Sequence, residues 1–207
     1  MAFVKRIQTE AVDQDERSRP RDAAGLMTEL SDANPVARRW AARDLAAHPA
    51  AVGALIARLD VEADATVRDA ILTSLTQIGD AVAVQGLVKF LRSEDTALRN
   101  EVIETMKQLP DAVAPIMSGL LSDADPDVRI FAVNILESLR HPDVEKWLIQ
   151  VISNDAHVNV CASAVDLLGE VGSEAARAPL EALKQRFAQE PYIVFATDLA
   201  LSRIRKG

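Results

Sequence analysis

The sequence is short of several things at once. Its 207 residues hold one cysteine, eight glycines and only 4% aromatic residues. The lone cysteine, Cys161, excludes an intrachain disulfide and fits a reducing compartment. Aromatic and β-branched residues are not clustered as sheet strands require, and with Ala, Leu and Val abundant an all-helical chain is favoured. No run approaches the roughly 18 apolar residues that a bilayer-spanning helix needs. Near the N-terminus Lys5, Arg6 and Gln8 interrupt Phe3, Val4 and Ile7, so no apolar signal-peptide core forms. A net charge of −8 argues against a general binder of phosphate backbones, though not against a local basic patch. These absences leave a soluble cytoplasmic protein, built as one or two ordinary domains or as one extended repeat array.

What the chain does have is one construction used repeatedly. In Asp125-Pro126-Asp127-Val128-Arg129, Asp125 can cap the free N–H groups of a helix and Pro126 suits the first helical position. Apolar residues then return at Val128, Ala132, Leu136 and Leu139, one stripe of a 3.6-residue helix. The same construction begins at Asn34, Asp64, Asp95 and Glu190.

Helices are expected over 21–30, 35–47, 50–59, 65–78, 81–91, 96–109, 112–121, 126–140, 143–152, 156–171, 174–187 and 191–204. Gly79-Asp80, His48-Pro49, His141-Pro142 and Gly172-Ser173 punctuate them, glycine by reaching a left-handed cap and proline by unsettling the residue before it. Loops of two to five residues force consecutive helices into antiparallel hairpins. Residues 1–20, polar and closed by Arg17-Ser18-Arg19-Pro20, form an expected N-terminal arm ahead of a repeat domain over 21–207.

Aligning the first helix of each pair gives Ala37, Val67, Leu98, Val128, Val160 and Ile193, spaced 30 to 33 residues apart. The second helices repeat independently through Val52, Val84, Val113, Val144 and Ala176, and through Ile56, Val88, Met117, Leu148 and Leu180. Two sets of columns sharing one period mean a solenoid, because a lone helix pair cannot cover its own apolar face.

The core D-x-x-V-R-x-x-A, with leucine eight residues after the valine, is complete at Asp125, Val128, Arg129, Ala132 and Leu136. It recurs at Asp64, Val67, Arg68 and Leu75, with Ile71 in the alanine slot. This pattern resembles the HEAT-like repeats, in particular the short class associated with phycobilisome chromophore lyases, and covers about residues 22–204. The fifth unit departs from it, with Cys161 in the arginine slot and Asp155 two residues further from its valine; the last unit carries Val194 in that slot. The resemblance implies an all-α, right-handed α-solenoid of about five helical hairpins plus terminal half-units. It also implies that the second helices line a concave side used to hold other proteins.

The arginine slots Arg38, Arg68, Arg99 and Arg129 accompany the caps Asn34, Asp64, Asp95 and Asp125. A planar guanidinium can engage loop carbonyls and a carboxylate of an adjacent unit together, so these two sets are expected to stitch the loop edge; a phosphate-binding stripe is the alternative. His48, His141 and His157 sit at helix ends without ligand-spaced neighbours, so no metal site is expected. No His-Glu dipeptide of the kind found in iron-binding HEAT-like hydroxylases occurs. Cys161 has no basic neighbour in sequence and is expected as a small packed residue. No phosphate loop, nucleophile elbow or paired carboxylates suggest catalysis or a cofactor.

On the second helices, Trp147 shares a core column, whereas Phe90 falls in a column with Arg58, Gly119, Gln150 and Ala182 that points off the buried stripe. Neighbouring columns hold Lys89, Ser118 and Ile149, and Gly86, Pro115 and Lys146. A shallow groove floored by Arg58, Lys89, Phe90, Ser118, Lys146, Ile149 and Gln150, with Phe90 and Ile149 as apolar anchors, is therefore expected to bind a partner. We expect a non-catalytic adaptor of bacterial, cytoplasmic type that docks a protein partner along this face. A subunit of a bilin lyase or similar modifying enzyme is the alternative that the repeat class implies. A HEAT-like nucleic-acid binder is a weaker one, since the inner columns mix Arg58, Lys89 and Lys146 with Glu145 and Glu181.

Overall fold

A computed structural model describes residues 21–204, so the expected arm at 1–20 lies outside the described residues. Twelve α-helices run through them: α1 Ala23–Glu29, α2 Pro35–Asp44, α3 Val52–Leu59, α4 Ala65–Ile78, α5 Ala81–Leu87, α6 Thr96–Lys107, α7 Pro110–Leu120, α8 Pro126–Leu136, α9 Val144–Asn154, α10 Val158–Val171, α11 Arg177–Arg186 and α12 Pro191–Arg203. No strand occurs among the described residues. The chain divides after Gly86 into two compact units.

In the first unit α2 lies along α4, α1 packs on α2, and α3 packs on α4. In the second, α6, α8, α10 and α12 lie side by side in chain order, while α9 and α11 pair behind them and α9 also packs on α10. Within each unit, neighbouring hairpins are thus consecutive in sequence, which is the α-solenoid plan.

The columns read from the sequence are the core. Val67, Ile71 and Leu75 are fully buried on α4, as are Val128 and Ala132 on α8, with Leu136 beside them; Leu148 and Leu180 close the second helices from behind. One polar tie runs through the apolar layer of the first unit. The Ser74 hydroxyl, buried on α4, lies 2.8 Å from the Ala42 carbonyl of α2 and 2.9 Å from its own Ala70 carbonyl.

Helix starts follow the capping chemistry. Asn34 Oδ1 accepts from Val36 N–H at 3.0 Å, Asp64 Oδ1 from Thr66 at 2.8 Å, Asp95 Oδ1 from Ala97 at 3.0 Å and Asp125 Oδ1 from Asp127 at 2.9 Å. Gly79 ends α4 with φ 60°, the left-handed cap that a side chain would disfavour.

Two departures from the expected helices, and one from the expected groove, have local causes. α5 stops being α-helical at Leu87 and continues as a 3₁₀ turn over Val88–Arg92. Residues three apart eclipse in a 3₁₀ helix, so Phe90 stacks above buried Leu87 and is itself only 4% exposed. The expectation that Phe90 points off the core as a binding anchor is corrected on that ground. α8 ends at Leu136 rather than near Arg140, because Leu139 turns inward and its N–H closes a tight bond to Leu136 O at 3.1 Å. Gly86 does not floor a groove: a β-carbon there would lie 2.7 Å from Ile56 Cγ1, so its smallness lets α5 close on α3.

Leu136, 1% exposed on α8, should cost about 2–5 kcal/mol of unfolding free energy when cut to alanine. Asn134→Ala, exposed on the same helix, should change it by no more than about 0.5 kcal/mol. Urea unfolding followed by circular dichroism distinguishes the two.

Candidate functional site

The loop edge is built from two columns, one of which the sequence reading passed over. Two residues before each cap sits Asp32, Glu62, Ser93, Asp123 or Asp155, again 30 to 32 residues apart. Each accepts the backbone N–H of the residue two places on: Asn34 to Asp32 at 2.8 Å, Asp64 to Glu62 at 2.9 Å, Asp95 to Ser93 at 3.2 Å, Asp125 to Asp123 at 2.9 Å and His157 to Asp155 at 2.8 Å. Asp155 is therefore not a cap displaced by two residues. It belongs to this second column.

The arginine slots reach across to that column. Arg38 donates from Nε and Nη2 to Glu62 at 2.8 and 2.9 Å while its Nη1 donates to the Asp32 and Ala33 carbonyls of its own loop. Arg129 repeats the arrangement with Asp155 at 2.6 and 3.0 Å and with the Asp123 and Ala124 carbonyls. Arg99 holds the Ser93 carbonyl at 2.7 Å and stacks on Phe131, 5.1 Å from its centroid. Arg68 is buried on α4. Arg58, expected on a partner-binding floor, instead gives its Nε to Glu62 at 2.7 Å, so two guanidiniums share one buried carboxylate.

Burial pushes the Glu62 carboxyl up, but the bonds from Arg38, Arg58 and the Asp64 N–H outweigh it and bring it down to about 2. Asp155 is likewise lowered, burial opposing and Arg129 and the His157 N–H prevailing. The bond to Glu62 raises Arg38, and the bond to Asp155 raises Arg129.

Where the fifth unit lacks its arginine, another supplies the group. Cys161 Sγ lies 3.3 Å from the Asp155 carbonyl, and Arg186, from the end of α11, donates to that same carbonyl at 2.9 Å and to Ile152 and Ser153 carbonyls at 2.8 Å. The Cys161 thiol is fully buried and its pKa is pushed up, chiefly by that burial.

Beside this edge a cleft of about 490 Å³ opens between α7 and α9. Ser118, Leu121 and Ser122 form one side; Trp147, Gln150, Val151 and Asn154 form the other; Asp123, Arg129, Asp155 and Ala156 close the charged end. Trp147, 7% exposed, stacks on His141 with centroids 4.9 Å apart and planes 16° apart. His141 Nδ1 in turn accepts from Asp143 N–H at 3.2 Å, which fixes the ring at the start of α9.

Of the residues expected to floor a groove, the cleft brings together Ser118 and Gln150, both exposed. Lys146 and Ile149 lie on α9 outside it, and Lys89 is exposed with its amine 4.8 Å from the Phe90 ring centre. The cleft offers a flat indole edge, apolar Leu121 and Val151, and a rim of hydroxyls and amides. Its size lies within the ~300–1,000 Å³ usual for small-molecule sites. Among the described residues no three His, Cys, Asp or Glu side chains converge as metal ligands would, and no helix is long and apolar enough to cross a membrane.

Repeating two-helix units, stacked in order within each compact unit and joined by arginine–carboxylate staples, define a helical-repeat protein. The family model for HEAT repeats matches residues 23–111 and 113–193, and the chain belongs to that family. It is 33% identical over 122 residues to the bilin biosynthesis protein PecE of Mastigocladus laminosus, a match covering 57% of this chain and 45% of PecE. The chain thus spans less than half the length of that relative. Among solved structures, the archaeal HEAT-like repeats protein from Thermococcus onnurineus NA1 superposes with a TM-score of 0.50 at 16% identity, covering 95% of this chain and 93% of that one. The complex of CpcE and CpcF of phycocyanin lyase from Nostoc sp. PCC7120 matches with a TM-score of 0.39 at 19% identity, covering 98% and 100%.

The likeness to PecE overturns the expectation of a non-catalytic adaptor with no enzymatic role. The sequence held no catalytic motif to set against that expectation.

Glu62 gives a test of the edge that needs no ligand. Because its folded pKa lies below the ordinary 4.5, its contribution is complete above that value and is lost as pH falls toward 2. Glu62→Gln should therefore destabilise the protein by about 3 kcal/mol near pH 7, and its urea midpoint should approach that of the wild type between pH 5 and 2.

Proposed function

We propose that this chain is a subunit of a bilin lyase or a similar bilin-modifying enzyme, with the cleft between α7 and α9 as its bilin site. The observation that carries this reading is the 33% identity to PecE over 122 residues. The chemistry of the cleft agrees with it. A bilin is a flexible linear tetrapyrrole with apolar ring edges, pyrrole N–H donors, lactam carbonyls and two propionates. Leu121, Trp147 and Val151 offer contact to the rings, while Ser118, Ser122, Gln150 and Asn154 offer donors and acceptors to the lactams and pyrroles. As a subunit the chain would work with a protein partner. The cytoplasm, with its reduced thiols, suits the single buried cysteine.

Within this reading the protein's own work is binding and shaping. A partly closed cleft selects among the conformers of a flexible chain, and an ordered tetrapyrrole reacts with less loss of freedom than a mobile one. The stacked His141 holds Trp147 in place as one wall.

Titrating biliverdin into the protein should intensify and shift its long-wavelength absorption band, as happens when a tetrapyrrole is held extended. Ser118→Trp, which fills the cleft from an exposed position on α7, should weaken that response about tenfold or more while leaving helicity unchanged. An absent response in the wild type sinks the bilin reading. A normal response in Ser118→Trp moves the site elsewhere.

A further inference from the structure

We propose that Arg92 is a carboxylate-binding residue at the charged end of the cleft, held in reserve on Asp123 and released to a ligand when Arg99 takes its place. The ligand's identity rests on the bilin reading above; the exchange of arginines does not.

One bond of the repeating staple is missing. In two loops the slot arginine grips the next loop's carboxylate with Nε and Nη2, as Arg38 does Glu62 and Arg129 does Asp155. By the repeat frame Arg99 is the equivalent arginine and Asp123 the equivalent carboxylate. Yet Asp123 Oδ2 accepts from Nη2 of Arg92, a residue of the 3₁₀ turn whose side chain is 46% exposed. Arg99 is left with its loop carbonyl and the Phe131 ring, and its buried Nε has no hydrogen-bond partner.

Two guanidiniums therefore have a claim on Asp123 Oδ2. In the complete staples that second oxygen receives the slot arginine's Nε, while the first is shared between Nη2 and a backbone N–H, as Asp123 Oδ1 already takes the Asp125 N–H. With Arg92 in place, a buried donor goes unsatisfied, which disfavours that state. With Arg99 in place, the staple matches its neighbours, and Arg92 is freed beside a cleft wall. The Arg92 pair is exposed and contributes little, so a ligand that draws Arg92 away has only a small loss to offset.

Asp123 itself borders the cleft. Arg129 borders it too, but its fork is taken up by Asp155 and by two loop carbonyls. A ligand carboxylate at this end is thus met by Arg92, and binding there favours the state in which Arg99 holds Asp123. The propionates of a bilin are carboxylates of this kind.

Two measurements test this. Without ligand, the Arg99 Nε–H resonance in ¹⁵N–¹H spectra should move downfield and exchange more slowly with solvent in Arg92→Ala than in the wild type. Adding Asp123→Asn should abolish that change. An Arg99 signal indifferent to Arg92→Ala overturns the proposal.

With ligand, the wild type should bind biliverdin about tenfold more tightly than its dimethyl ester, and Arg92→Ala should bring the acid to the ester's affinity without altering the ester's. Equal affinity for acid and ester in the wild type overturns the proposal while leaving the bilin reading intact. If neither form binds, the bilin reading falls, and the ligand-free spectra decide the exchange.

Discussion

No hairpin of this chain can keep its apolar columns dry by itself. Val67, Ile71 and Leu75 on α4, and Val128, Ala132 and Leu136 on α8, are buried where α4 lies along α2 and α8 lies between α6 and α10. Every other feature serves that stacking. The caps fix where each first helix starts in the sequence, and the short loops keep hairpins antiparallel. The arginine staples tie one loop to the next, so that a helix cannot slide along its neighbour without breaking a buried ion pair. Such pairs add specificity of register more than net stability, because removing two charges from water offsets much of their attraction.

The cleft is a by-product of the same geometry. Side chains on the second helices that do not face the core line whatever gap the stacking leaves, and between α7 and α9 that gap is large enough for a small molecule. Its charged end is the staple edge itself, seen from the side. A residue such as Asp123 therefore serves twice: it fixes the start of α8 through the Asp125 N–H, and it presents a carboxylate to the cleft. Function on such a scaffold is set by the few positions in each repeat that the core does not claim, which is why one family can serve many ends.

Much of the fold was legible in the residues, because a cap, a slot arginine and an apolar column each demand a narrow choice of side chain. The second acceptor column was harder to see, since Asp32, Glu62, Ser93, Asp123 and Asp155 share an acceptor oxygen but not a residue type. Phe90 was misplaced because helical counting assumes 3.6 residues per turn, and the segment tightens to 3₁₀ at Val88. Gly86 looked like open floor because its lack of a side chain says nothing of what approaches it, and Ile56 does. The cleft was only half visible: Ser118 and Gln150 were singled out, but Asn154, Asp123 and Asp155 reach it from positions whose sequence signals are those of a helix end and its loop. The likeness to PecE left no local motif: it is spread over 122 residues and not gathered in any one constellation.

Arg186 shows how such an array tolerates change. At the fifth unit a guanidinium still sits among the Ile152, Ser153 and Asp155 carbonyls, but it arrives from the far end of the same hairpin's second helix, above Cys161. Positions 161 and 186 accordingly meet at one cradle. Restoring arginine at the first would crowd two cations into one cradle, and losing arginine at the second would leave that cradle vacant. Each position therefore constrains what the other can hold.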